Sequence, residues 1–298
     1  PLTKLCAGES VVRMKSNAHA LGLALLVLCG AACSRTDSAA KAGPAAAAKA
    51  DDRYPIKGVI TSIDAERKVL IVKHEEIKGY MPAMTMEFVV DARDLAVAKP
   101  GQHIRAEMIA VKGGDFRLEK IWPDEAAAAA AIEAAAKALR EDTHNRGKGA
   151  YREIGEAMPE FALYDQEGRV VQSGRFRGKQ IMLNFIFSRC PVATMCPAST
   201  AKMMQAQKAA RDAGVPNIEF VSITLDPAYD SPAVLKEYAQ TRGIDTKNFS
   251  FLTGPENAIK DLLAQFGVIA QFQGDILQHT LATLLIDENG KKIGRAHV

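Results

Sequence analysis

Two short segments of this chain concentrate soft donor atoms. The first runs His74-Glu-Glu-Ile-Lys-Gly-Tyr80-Met81-Pro82-Ala83-Met84-Thr85-Met86-Glu87-Phe88, and three of the ten methionines fall within six of its residues. On an extended strand Met84 and Met86 point to one face, because side chains alternate with period two. His74 ends the preceding strand and is placed to meet them. Two thioethers and an imidazole make a soft, neutral ligand set that selects Cu(I) and suits neither Mg²⁺ nor Ca²⁺. Zn²⁺ sites use thiolate, imidazole or carboxylate rather than thioether. Methionine also fills cores well, but a Met-X-Met with a third Met, a proline and a strand-end histidine favours ligands. The second segment is Cys190-Pro191-Val-Ala-Thr-Met-Cys196-Pro197. It sets two thiols between a buried-strand run, 181–187, and a helix. A helix N-terminus stabilises thiolate through its unpaired N–H groups and its dipole. Thiolate is both the nucleophile of disulfide exchange and a soft metal ligand. A structural disulfide is the plain alternative, although such bonds usually staple distant segments.

The elements that must carry these donors follow from pattern. Short strands are expected at 57–63, 69–74, 84–90, 102–110 and 116–122. Gly58, Asp64-Ala65-Glu66, Lys99-Pro100-Gly101 and Gly113-Gly114-Asp115 supply the turn signals between them. Closure removes exposed edges, so residues 53–123 read as a small all-β, OB-like barrel. Residues 124–150 read as an Ala-rich helical connector. Alanine is the best helix former, Asp124 and Glu125 suit a helix start, and the apolar face is too thin for core. Residues 151–298 alternate buried-strand runs (181–187 and 218–225) with helices expected at 198–213, 231–242 and 255–266. A last strand at 281–286 opens a hairpin. This alternation implies βαβ units and a sheet with a parallel part. His103 reads as a surface or core residue of a strand, His144 as a solvated linker residue, and Trp122 as core.

The first segment resembles the CusF-like periplasmic copper-binding domain, a small β-barrel whose pattern is His, an aromatic, then Pro-X-Met-X-Met. His74, Met84 and Met86 stand at the three ligand positions. The aromatic before the proline is replaced by Met81, so the resemblance leaves Met81 as a further sulfur ligand or Tyr80 as a cover. Residues 155–295 resemble the Sco/SenC family of thioredoxin-like copper proteins. The resemblance rests on Phe187-Ser-Arg-Cys190-Pro, on Ser222-Ile-Thr-Leu-Asp226-Pro227-Ala-Tyr-Asp230-Ser231-Pro232, and on His279 before the strand at 281–286. It implies a thioredoxin-like fold and copper bound by Cys190, Cys196 and His279. Two thiolates and an imidazole accept Cu(I) or Cu(II). The family spacing is Cys-X3-Cys, against Cys-X5-Cys here. Asp226 is a candidate for supporting the site, with capping of the following turn as the alternative. A further helix is expected after the last hairpin, so the C-terminus reads as truncated.

The chain has 298 residues, 48% hydrophobic and 24% charged, with net charge +3. That is globular composition, too near charge balance to argue for nucleic acid. Pro1 opens it, and Met14 is the expected start of a signal peptide with Lys15 and an apolar run at 20–28. Gly30-Ala31-Ala32-Cys33 resembles a bacterial lipobox and makes Cys33 the expected lipidated residue, with an ordinary cleaved signal that contains Cys33 as the alternative. Residues 1–33 are therefore upstream residues plus signal, and residues 34–52 an Ala-rich tether on the periplasmic side of a bacterial envelope.

The leading expectation is a copper metallochaperone, with the Cu(A) subunit of a haem–copper oxidase as recipient and other periplasmic copper carriers as partners. The alternatives are a thiol–disulfide oxidoreductase using Cys190 and Cys196, and copper buffering or resistance without delivery.

Overall fold

The computed structural model describes residues 53–111, 114–273, 276–280 and 282–296. The signal peptide, Cys33 and the tether lie outside the described residues. Strands β1 (Arg53–Asp64), β2 (Val69–His74) and β3 (Met84–Val89) are followed by the short helix α1 (Ala92–Leu95), then β4 (His103–Ala110) and β5 (Phe116–Pro123). They close into a barrel in the order β1-β2-β3-β5-β4, matching the expected architecture. Alternation does the work. Leu70, Val72 and His74 of β2 face inward and are buried with Ile60, Phe88, Ile104, Met108 and Leu118, while Lys73 faces out. Gly58, expected at a turn, instead lies inside β1, paired with His74 of β2 and Ile104 of β4.

Helix α2 (Ala126–Arg146) is the expected connector helix, but it is not a bare link. Ile132, Ala136 and Leu139, at positions i, i+4 and i+7, are buried. Gln265 donates to the Leu139 carbonyl, and Arg140 pairs with Asp261 at 3.3 Å. A narrow alanine-rich stripe suffices because small side chains let two helices approach closely.

The second half opens with a hairpin of β6 (Ala162–Tyr164) and β7 (Val170–Gln172). Then come β8 (Gln180–Ile186), α3 (Cys196–Asp212), β9 (Ile218–Thr224), α4 (Pro232–Thr241), β10 (Phe249–Leu252) and α5 (Glu256–Phe266). A hairpin of β11 (Ala270–Gln273) and β12 (Ile276–His279) precedes β13 (Thr283–Ile286) and β14 (Lys292–Ala296). The central sheet runs β10-β9-β8-β13-β14. Its first three strands are parallel, and β13 and β14 are antiparallel additions. This is the thioredoxin-like arrangement. Ser231 caps α4, accepting from the Val234 N–H at 3.5 Å, with Pro232 in the first turn. Leu281 lies outside the described residues. Among those described, no helix is long and apolar enough to cross a membrane.

The barrel rests on the second half through Trp122, whose ring meets Tyr164 at 5.9 Å, and through α1 against α4. There Arg93 pairs with Glu237 at 3.5 Å, and Lys236 donates to the Ala96 carbonyl at 3.2 Å. Asp94 is buried in α1, and burial pushes its carboxyl up to about 7. A carboxyl that holds its proton more tightly when folded favours the folded state fully below its unfolded value of 3.8. That advantage fades as pH rises to about 7. Asp94→Asn is therefore expected to raise stability by roughly 4 kcal/mol at pH 8 and to change nothing near pH 3. Unfolding curves at both pH values check this, and an equal effect at both would exclude the titration.

Candidate metal centres

The barrel centre is built by strand register. His74 stands directly opposite Met84 across the β2–β3 ladder, and Met86 stands opposite Val72. All four therefore face one side of the sheet. His74 is only 2% exposed. Its Nδ1 lies 2.6 Å from the Glu75 carbonyl oxygen, which can only accept, so in the neutral ring Nδ1 carries the proton. Nε2 keeps its lone pair and is buried with no hydrogen-bond partner. A buried lone pair without a donor is costly to the protein alone and suited to a metal ion. Met84 is 48% exposed, while Met86 and Met81 lie partly buried against the barrel core. The Met81 backbone exchanges hydrogen bonds with Ile77. The Tyr80 ring packs on Tyr54 at 4.3 Å and on Phe116 at 6.2 Å. The donor set faces a rim open to solvent and fits a soft monovalent ion taken up from outside.

The second centre forms where β8 leaves the sheet. Cys196 is the first residue of α3 and has no exposed surface; Cys190 is half-buried on the loop before it. Both are free thiols. The Cys196 Sγ takes a long contact from the Phe187 N–H at 3.4 Å and lies 3.3 Å from His279 Nε2. His279 Nδ1 faces the Thr280 carbonyl at 3.4 Å, so Nε2 again carries the lone pair and the Cys196 S–H points at it. Burial lowers the His279 imidazole below its ordinary value and keeps it neutral, the ligand form.

Burial also pushes the Cys196 thiol up to about 12, and the neighbouring Cys190 pushes in the same direction. The expected thiolate at the helix N-terminus is therefore overridden at Cys196, because desolvation of the charged form outweighs the dipole. Copper binding there must displace a proton. Cys190 Sγ donates weakly to the Val192 carbonyl at 3.8 Å, interacts with the Cys196 thiol, and packs against the core of the second half. Among the described residues no three His, Cys, Asp or Glu side chains converge tightly enough to hold an ion as they stand. The structure thus brings Cys196 and His279 together and leaves Cys190 beside them.

Asp226 does not cap its turn with its side chain. Its carbonyl closes the turn, accepting from Tyr229 and Asp230, and its carboxylate binds Arg189 at 2.5 Å. Ser188, Arg189 and Asp230 stand in the two segments that carry the family resemblance, but the sequence assigned them no role of their own. Of the two roles left open for His103, the structure gives the exposed one, at the start of β4; His144 is exposed as expected but lies within α2 rather than in a linker.

Comparison with known proteins adds the following. A family model described as SCO1/SenC matches residues 150–297, and one described as copper binding periplasmic protein CusF matches residues 53–123. An SCO2-like protein of Rickettsia typhi is 35% identical over 147 residues, covering 47% of this chain and 68% of that one. The SCO1 protein homolog of Bacillus subtilis is 29% identical over 138 residues, covering 44% of this chain and 68% of that one. Among solved structures, a SCO1/SenC family lipoprotein from Bacillus anthracis is 29% identical with a TM-score of 0.45, covering 50% of this chain and 89% of that chain. The chain spans 64–68% of the length of the rickettsial relatives it matches and about half of the bovine one.

Proposed function

From the premise that the chain belongs to the SCO1/SenC family, we propose that it is an extracytoplasmic copper metallochaperone with two copper modules. The barrel takes Cu(I) through His74, Met84 and Met86, with Met81 as a further sulfur donor. The thioredoxin-like half takes copper through Cys190, Cys196 and His279. The recipient is the Cu(A) subunit of a haem–copper oxidase, other periplasmic carriers supply the metal, and Cys33 anchors the chain to the membrane by its lipid. The domain divisions at 53–123, 124–150 and 151–298 are part of the same reading.

The observation that carries it is the 3.3 Å approach of Cys196 Sγ to His279 Nε2 across 83 positions of sequence. A metal ion binding the buried Cys196 sulfur displaces the thiol proton, which is released to solvent. Cys190, which already lies beside the Cys196 thiol, completes the set when copper arrives. Holding both modules on one chain raises the effective concentration of one site at the other.

A second reading is favoured by the same Cys190. Two adjacent free thiols can reduce a disulfide in the recipient. Cys190 attacks one sulfur, Cys196 resolves the mixed disulfide, and two protons and two electrons pass to the recipient as Cys190 and Cys196 join.

An anaerobic Cu(I) titration of the reduced chain against a chelator separates the readings. Two bound coppers are expected. One is lost when Met84 and Met86 are both changed to Leu, the other when Cys190 and Cys196 are both changed to Ser. A single copper, lost only with the methionines, would leave the second half as a thiol reductase.

A further inference from the structure

The residues between the two cysteines do little to place them. Positions 191–194 are all exposed, and Cys190 itself is only half-buried. A longer exposed loop has more conformations to lose on closing. Cys196 needs no help, since it is buried at the start of α3. Cys190 is held by its N–H, which donates to the Phe187 carbonyl at 3.0 Å, and by packing on the core, so its placement depends on the stem that leads to it. There the structure concentrates polar contacts on the two preceding residues. The Ser188 hydroxyl donates to Asp230, whose other carboxylate oxygen accepts from Thr224 Oγ1 at 2.5 Å. The Arg189 guanidinium binds Asp226 at 2.5 Å. The same guanidinium lies over the Tyr229 ring at 4.2 Å and near the Phe187 ring at 5.5 Å. Asp226 is 5% exposed, so its carboxylate has little water to fall back on, whereas Arg189 is 48% exposed.

We propose that Arg189 and Asp226 are positioning residues: their ion pair, backed by Tyr229, clamps the stem of Cys190 so that its thiol can reach Cys196 across the five-residue loop. The clamp acts through Cys190 and touches no metal. Its importance for copper rests on the proposed reading of Cys190, Cys196 and His279 as a copper site. Its importance for thiol–thiol approach does not.

The test uses the full chain and two readouts. The first is metal-free equilibrium with glutathione: two thiols become the Cys190–Cys196 disulfide while one glutathione disulfide becomes two glutathione thiols. The equilibrium constant reports how often the two thiols meet. The second is Cu(I) competition, with the barrel centre of the same molecule as internal reference. Arg189→Gln and Asp226→Asn are each expected to lower the disulfide equilibrium constant about tenfold and to weaken the second copper site about tenfold. The barrel site should be unchanged, and R189D/D226R should recover part of the loss. Arg189→Lys keeps the charge without the planar fork and should fall between wild type and Arg189→Gln.

A disulfide equilibrium within twofold of wild type in both single variants would overturn the clamp, even if their melting temperatures fall. So would a wild-type chain that forms no intramolecular disulfide. Retention of both coppers when Cys190 and Cys196 are both changed to Ser would sink the copper reading of the second half. The glutathione measurement would still decide the clamp.

Discussion

His74→Leu is expected to leave the metal-free barrel about as stable as wild type, or more so, and to abolish its response to Cu(I). His74 Nε2 is a buried acceptor with no partner, and leaving such an atom unsatisfied costs about 1–3 kcal/mol. Leucine removes that penalty. It also removes the bond from Nδ1 to the Glu75 carbonyl, worth about 1 kcal/mol, so the two changes nearly offset. The copper-dependent part has no such compensation. With free Cu(I) at a hundred times its dissociation constant, a ligand that binds only the folded barrel stabilises it by about 2.7 kcal/mol. Wild type should show that shift, and His74→Leu should show none. Denaturation with and without buffered Cu(I) reads both quantities. If the variant kept the shift, His74 would not be a ligand. If the metal-free variant lost more than about 2 kcal/mol, Nε2 would have a protein role that its surroundings do not reveal.

Gly58→Ala is expected to destabilise the barrel by about 3 kcal/mol and to weaken its copper site. A Cβ at position 58 would lie 2.6 Å from the Lys73 carbonyl oxygen and 2.8 Å from both the His74 Cα and the Val72 Cγ1. Two of those atoms are backbone, so the clash cannot be relieved by a side chain swinging aside. The β2 strand must move, and it carries His74 into register with Met84. The glycine is there because β1 and β2 approach closely at the position that sets the metal ligand. Chemical unfolding followed by the fluorescence of Trp122, the only tryptophan, measures the loss. A Cu(I) competition on the same sample measures the second effect. A variant as stable as wild type would mean that the ladder opens at no cost.

Both expectations depend on facts of different legibility. The strands and helices that hold the donors could be located locally. Met84 and Met86 share a face because of period two, and β2, β3, α3 and α5 begin or end within a residue or two of the expected positions. The soft donor types pointed to copper without any geometry. Ser231-Pro232 marked the start of α4 because a cap and a first-turn proline act within one turn. Gly58 was misplaced for the opposite reason: a glycine needed for a close approach between strands looks, in one dimension, like a turn.

What only the tertiary structure decided involves partners distant in sequence. His279 meets Cys196 because the sheet sets β13 beside β8, which positions the β12 end that carries His279 near the β8–α3 turn. The thiol of Cys196 is pushed up to about 12 because burial removes water from it, a property of surroundings that a helix-start rule cannot include. The α2 helix gained a buried stripe because distant elements meet it: Ala136 and Leu139 share a core with α5, and Ile132 packs with Trp122, Ala162 and Tyr164. Arg189 found Asp226 because β8 and β9 are adjacent parallel strands whose ends emerge together. Local pattern is dictated by neighbours one to four residues away, and it was legible here. Charge state, ligand convergence and stem clamping are set by which distant strands the fold makes adjacent, and composition and spacing do not encode that adjacency.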